Sequence, residues 1–253
     1  MFRFRWGNMR RLSALLFALS VAWAVDGPVP FVPSVGGDFA PEGFVGFRSS
    51  PARIVSPGFA LAAFGVLEGE ADIDEFSWAA YGDLGNERWR LAFVGAFHGL
   101  DSLYRQSYSE LDGSATFGWL TLGTAYGFSM EWIPGSSKWA RHRIKAGVLA
   151  RWRDFSFGVA TFAFTDETAE FGAGVHWNPE GDFSLFAEGE RRGFRVGNSL
   201  KFEHGRMDVL YGFPDFSFSA MATVFWGGWF AGGAVGSGGL PFWGAFSGKN
   251  LVK

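Results

Sequence analysis

The sequence predicts an all-β fold: an antiparallel transmembrane β-barrel of roughly 12–14 strands behind an irregular N-terminal segment. Three observations predict it. The 253 residues include 30 Phe, 12 Trp and 37 Gly, yet mean hydropathy is only +0.08. Rings and glycine are abundant, while the Leu and Ile that fill a soluble core are scarce. From Phe59 onward, apolar and polar residues alternate with period two, the pattern of strands with one apolar and one polar face. An export signature precedes both.

That signature occupies residues 1–24. Arg3, Arg5, Arg10 and Arg11 precede an apolar run from Leu12 to Val21, which ends in Ala22-Trp23-Ala24. A basic region, a short apolar region and a small-x-small site form a signal peptide, with cleavage expected before Val25. Met9 is an alternative start that leaves a more compact signal. The apolar run is too short to span a bilayer as a helix. The chain has no cysteine. That excludes lipid attachment at cysteine, disulfides, thiolate catalysis and cysteine zinc sites. Past the signal, 18 basic residues stand against 25 acidic ones, a net charge of −7. A basic face for nucleic acid is therefore not expected.

Residues 25–58 are rich in Pro and Gly and lack any sustained period, which predicts an irregular plug or linker. Residues 59–253 then form the barrel. Candidate strands run over 59–67, 74–83, 88–98, 114–128, 141–152, 155–164, 168–177, 182–191, 194–203, 207–213, 215–226 and 240–247, with weaker ones at 102–111 and 229–235. The uncharged stretch Phe216 to Gly248 is long enough for a membrane helix. Its glycine pairs (Gly227-Gly228, Gly232-Gly233, Gly238-Gly239) and Pro241 argue for strands instead.

Hairpin bookkeeping sets the expected register. A turn at Arg153-Asp154 places Trp152 opposite Phe155 and Val148 opposite Val159. A loop Asn178-Pro179-Glu180-Gly181 pairs Trp177 with Phe183. Turns at Arg192-Gly193, Gly205-Arg206 and Pro214-Asp215 pair Glu190 with Arg195, Phe202 with Val209, and Tyr211 with Phe218. One apolar face persists through seven successive strands, as pairing requires. Ile144, Val148 and Leu185 belong to it. The opposite face mixes Gly147, Gly158, Ala160, Gly172, Gly174 and Gly197 with charges, which suits a constricted lumen. Trp152, Phe155, Trp177 and Phe183 suit an interfacial girdle.

The candidate site is a polar network in that lumen: Arg143, Lys145, Arg151, Glu188, Glu190, Arg195, Lys201 and Glu203. Mixed signs there either line a solute path or neutralise one another, because an intramembrane charge normally finds a partner. No catalytic residue is assigned. His98, His142, His176 and His204 stand in no metal-ligand or triad spacing, and His98 with Asp101 is the nearest approach to one. The acidic loop Glu68, Glu70, Asp72, Asp74, Glu75 reads as a solvated hairpin tip and lacks the order of calcium loops. No metal and no cofactor are expected.

Gly36-Gly37, and then Ser50-Pro51-Ala52 just before the first strand, carry a resemblance to the outer-membrane fatty-acid transporter and type IX secretion-associated barrels. Those barrels have a glycine-rich N-terminal plug with an Asn-Pro-Ala turn; here Ser50 stands at the Asn position. The resemblance implies a plugged barrel of about fourteen strands and makes Ser50, Pro51 and Ala52 the N-terminal turn. Location in the outer membrane of a Gram-negative-type cell is expected. Its neighbours there are outer-membrane lipid and lipopolysaccharide, with secretion or assembly proteins as further partners. The function expected is non-enzymatic: a narrow transporter of small or hydrophobic solutes, or a secretion or assembly accessory. The alternatives are an outer-membrane hydrolase or acyltransferase, or a purely structural barrel.

Overall fold

The computed structural model describes residues 50–52 and most of 58–250. Residues 1–49, 53–57, 67–74, 101–103, 134, 136–138, 165–168, 180–181, 191–192, 215, 238–240 and 251–253 lie outside the description. The expected signal peptide and nearly all of the 25–58 segment fall there. So do the acidic loop up to Asp74 and Asp101, and the side chains of Glu75 and His98.

The fold is all-β. Its strands are β1 (Gly58–Val66), β2 (Glu75–Gly85), β3 (Trp89–Leu100), β4 (Tyr104–Phe117), β5 (Leu120–Trp132), β6 (Trp139–Trp152), β7 (Phe155–Phe164), β8 (Glu170–Trp177), β9 (Phe183–Glu190), β10 (Gly193–Phe202), β11 (Gly205–Phe213), β12 (Phe218–Trp226), β13 (Trp229–Ser237) and β14 (Pro241–Asn250). Each pairs antiparallel with its sequence neighbour, and β1 pairs with β14, so the sheet closes without an edge. Closure removes the unpaired backbone groups that hydrocarbon cannot satisfy.

The barrel is inside out relative to a soluble protein. On β6, Ile144 is 56% exposed and Val148 42%, while the alternate positions Arg143 and Lys145 are 3% and 1% exposed. Leu91, Phe93, Leu111, Val159, Leu185, Leu200 and Val224 continue the outward apolar belt. An apolar surface of this extent suits lipid rather than water. Polar outward residues are quenched locally: the Thr124 hydroxyl donates to the Lys145 carbonyl at 3.1 Å. Among the described residues no helix is long and apolar enough to cross a membrane; the strands themselves are the membrane-spanning elements.

One end of the barrel carries the connections 86–88, 118–119, 153–154, 178–182, 203–204 and 227–228, and Gly58 pairs with Asn250 at this same end. Trp89, Phe117, Trp119, Trp152 and Trp226 ring it, each more than half exposed. On β5, Trp132 stands at the opposite end, thirteen residues beyond Trp119. At about 3.3 Å per residue and a tilt near 40°, that separation is roughly 33 Å along the axis, the thickness of a bilayer core with its interfaces.

Several expected boundaries are corrected. The stretch 114–128 is two strands, split by a turn at Gly118-Trp119, and both weaker candidates are full strands, β4 and β13. The turns at Arg153-Asp154 and before Phe218 stand as expected: Trp152 faces Phe155, Val148 faces Val159, and Tyr211 faces Phe218. Three other registers move by an even number of residues. Trp177 faces Leu185 rather than Phe183, Glu190 faces Gly193 rather than Arg195, and Phe202 faces Gly205 rather than Val209.

For the second and third of these, the cause is visible in two glycines read as turn residues. Neither Gly193 nor Gly205 has a positive φ, unlike Gly118 and Gly227 in true turns. Both are the first residues of their strands. A Cβ on Gly193 would overlap the Phe213 carbonyl, and one on Gly205 would lie 3.1 Å from the Thr223 carbonyl. These glycines permit close approach of the next strand instead of closing a hairpin.

Candidate functional site

The inner wall is built by the period-two phase of β2 to β11, which turns acids, bases and hydroxyls into the lumen. The densest part spans β2 to β6. Arg90 on β3 lies 3.5 Å from Asp83 on β2 and 3.5 Å from Asp112 on β4, bridging two carboxylates. The Tyr81 hydroxyl donates to Asp83 at 2.6 Å. Glu110, two positions from Asp112, accepts from the Tyr108 hydroxyl and pairs with Lys145 of β6. Asp83, Arg90, Glu110, Asp112 and Lys145 are all buried. Arg143 lies over the Phe162 ring, 5.0 Å from its centroid, a cation–π contact in a site removed from water.

The wall of β8 to β11 is sparser. Arg195 forms an ion pair with Glu188 at 2.8 Å, and Arg206 donates to Asp208 at 2.8 Å. His176, Ser184 and Ser199 are buried on the same face. On the outer face at the middle of β5, the Tyr126 hydroxyl lies 2.5 Å from His142 Nδ1.

Of the residues expected in the lumen, Arg143, Lys145 and Glu188 are buried there, with Arg195 paired to Glu188. Glu190 holds an inward position at the end of β9, half-buried. Arg151 and Lys201 are exposed at strand ends, and Glu203 lies in the 203–204 turn, 3.6 Å from His204. These three sit at the rim, away from the buried network. The expected partner of Arg195 is also corrected: Arg195 faces Glu188, and Glu190 faces Gly193. The register displacement at Gly193 produces that change and preserves the inward facing of both acids.

Glu188→Gln is therefore expected to lower thermal stability more than Glu190→Gln, with the Glu188→Arg/Arg195→Glu double reversal recovering part of the loss. Cysteines at 188 and 195 should crosslink on oxidation, since directly opposed strand positions meet disulfide geometry. Efficient crosslinking of 190 to 195 instead would reject this register.

Sequence reasoning missed Asp83, Arg90, Tyr108, Glu110 and Asp112. Their signal was present as alternation, Glu110-Leu111-Asp112 on β4 and Arg90-Leu91-Ala92-Phe93 on β3, with the charges in the inward phase. Among the described residues no group of His, Asp and Glu could hold a metal ion.

Ser50, Pro51 and Ala52 lie inside the barrel. Ser50 and Ala52 have no exposed surface. The Ser50 hydroxyl accepts from the Ala52 amide at 3.2 Å, and Ala52 packs on Leu149 of β6. Their seat is a pair of directly opposed glycines, Gly123 on β5 and Gly147 on β6. A Cβ on Gly123 would overlap the Pro51–Ala52 backbone. One on Gly147 would overlap the Ser50 hydroxyl and lie 3.1 Å from Pro51 Cδ. Only glycine leaves room for a second backbone against the wall.

No protein-family model matches the chain, and no curated protein matches it. Among solved structures, variants of the Rhodopseudomonas blastica porin are similar at 7–8% identity and TM-scores of 0.45–0.46, over 77% of this chain and 98% of theirs. KdgM porin is similar at 10% identity and a TM-score of 0.43, over 77% of this chain and 99% of that one. The closed antiparallel sheet, apolar outside and ion-paired inside, is by its own geometry a barrel of the outer-membrane type.

Proposed function

We propose that this chain is an outer-membrane channel protein, passing small or hydrophobic solutes through a narrow lumen that its N-terminal segment plugs. One observation carries the reading: Ser50-Pro51-Ala52 is seated on the Gly123–Gly147 notch within an inner wall of buried ion pairs. The ion-paired side chains narrow the path, and the seated turn lies against the wall beside them. Among the described residues the turn meets the wall by backbone-to-glycine contact, which suits displacement. The position of this turn also supports the plan of the fatty-acid transporter and type IX secretion-associated barrels for residues 25–58. An enzymatic role has no comparable support among the described side chains.

Planar-bilayer conductance tests this. The wild-type barrel should pass little current. Gly147→Val should unseat the turn and raise conductance several-fold, as should deletion of residues 25–52. Unchanged conductance in both Gly147→Val and the deletion variant would reject the plug, and would favour the purely structural barrel that the dense Arg90–Asp83–Asp112 bridging also suits.

A further inference from the structure

The outer face of the described strands carries charge of one sign only. Its formally charged residues are Arg105 and Lys249, and every carboxylate in those strands occupies an inward position. Each of the two cations lies over an indole: Arg105 over Trp132 at 5.3 Å and Lys249 over Trp229 at 5.0 Å. A third pair, Arg153 over Trp152 at 5.0 Å, stands in the 153–154 turn. Two of the three pairs are therefore at the end of the barrel with the tight turns. Six of the seven Trp with described side chains are there as well: Trp89, Trp119, Trp152, Trp177, Trp226 and Trp229.

These features share one physical explanation. An indole rests at the level of lipid headgroups, with its ring in the acyl boundary and its N–H toward water. A Lys or Arg beside it lays its methylenes on apolar surface and raises its charge to the phosphates, while the ring face contributes cation–π attraction. A carboxylate at the same height would be repelled by the phosphates; the strands place none on the outer face there, and the acids of this rim, Glu87, Asp154, Asp182 and Glu203, stand in the turns. The turns at 118–119, 153–154, 203–204 and 227–228 project little beyond the strands, so the basic groups remain at headgroup depth. The chain enters β1 and leaves β14 at this rim, and a barrel inserted from the periplasm keeps that side facing the periplasm.

Outer-membrane barrels keep their short turns on the periplasmic side; we propose that this rim is a binding surface for the phosphates of anionic glycerophospholipids of that leaflet, held at Arg153–Trp152 and Lys249–Trp229. This rests on the outer-membrane reading above.

The test is folding of the full chain from urea into vesicles of phosphatidylcholine, with and without phosphatidylglycerol, scored by heat-modifiable migration. Phosphatidylglycerol should strengthen the wild-type response. The Arg153→Gln/Lys249→Gln variant should lose that gain, by roughly five-fold per residue. Lys201→Gln, an exposed rim cation not stacked on an indole, should keep it. A double variant with the full phosphatidylglycerol response would overturn the proposal, as would a wild-type chain indifferent to the anionic lipid. A wild-type chain that forms no heat-modifiable barrel in any vesicle would instead overturn the membrane reading beneath it. In intact cells, Asp154→Cys should react with an impermeant maleimide only after the outer membrane is opened. Reaction before opening would place this rim among lipopolysaccharide phosphates and overturn the assignment.

Discussion

Lys145→Met is expected to lower the stability of the folded barrel by about 3–5 kcal/mol, the cost of leaving one member of a buried ion pair unmatched. Lys145 and Glu110 are 1% and 2% exposed, and they join β6 to β4 across the inward face of β5. Removing the ammonium leaves the Glu110 carboxylate with the Tyr108 hydroxyl and the more distant field of Arg143, while Asp112 lies two positions away on the same face of β4. Removing both charges is a different change. In Glu110→Gln/Lys145→Met, the amide still accepts from Tyr108 and no unmatched ion remains, so most of the loss should be recovered. Urea unfolding in detergent micelles, followed by tryptophan fluorescence and heat-modifiable migration, measures both. A single variant within about 1 kcal/mol of wild type, the range of an exposed pair, would mean that this part of the wall is wet. A double variant no more stable than the single would show that the two charges are not coupled.

The same pair shows why the sequence reveals the wall more readily than its bonds. Facing depends only on odd or even position. The register changes at Gly193 and Gly205 are even, so Leu185, Leu200 and Met207 remain outward and Glu188, Arg195 and Asp208 inward wherever the turn closes. Partners depend on the absolute register, and glycine spoils that reading because it serves both tight turns and close strand approach. Where the turn chemistry is unambiguous, at Arg153-Asp154 and beside Pro214, the partners follow from sequence alone.

Strand β4 fails differently. Its outward positions include Ser107, Ser109, Gly113 and Ala115, so the period-two signal that marks β6 or β7 is faint, although the inward Tyr108, Glu110 and Asp112 form the centre of the wall. The Gly123–Gly147 seat had no signature at all. Two glycines 24 positions apart become a notch only once β5 and β6 are paired across the 133–138 connection. Proline at 51 marks a fixed turn because the residue before it is held extended; what receives that turn is a property of the closed barrel.

Facing is also what the second large effect examines. Val148→Arg is expected to cost roughly 2–4 kcal/mol, the range for a guanidinium near the midplane of a bilayer. Val148 lies on β6 between Ile144 and Trp152, 42% exposed in a belt of apolar side chains, and it pairs with Leu122 and Val159, also outward. An Arg there must reach several residues along the strand to a headgroup or draw water into the acyl region. Leu185→Arg, on β9, should behave alike but more mildly, since it pairs with Trp177 closer to the tight-turn rim. Asp154→Arg, in the turn itself, should cost little, because its side chain already meets water. The order expected by urea unfolding in phospholipid vesicles is thus Val148→Arg worst, Leu185→Arg intermediate and Asp154→Arg near wild type. Equal tolerance at Val148 and Asp154 in vesicles would mean that the outer face of β6 meets water. The exposed rows of Ile144, Val148 and Val159 would then need a protein partner to cover them, and the lumen would no longer be the polar side of a membrane barrel.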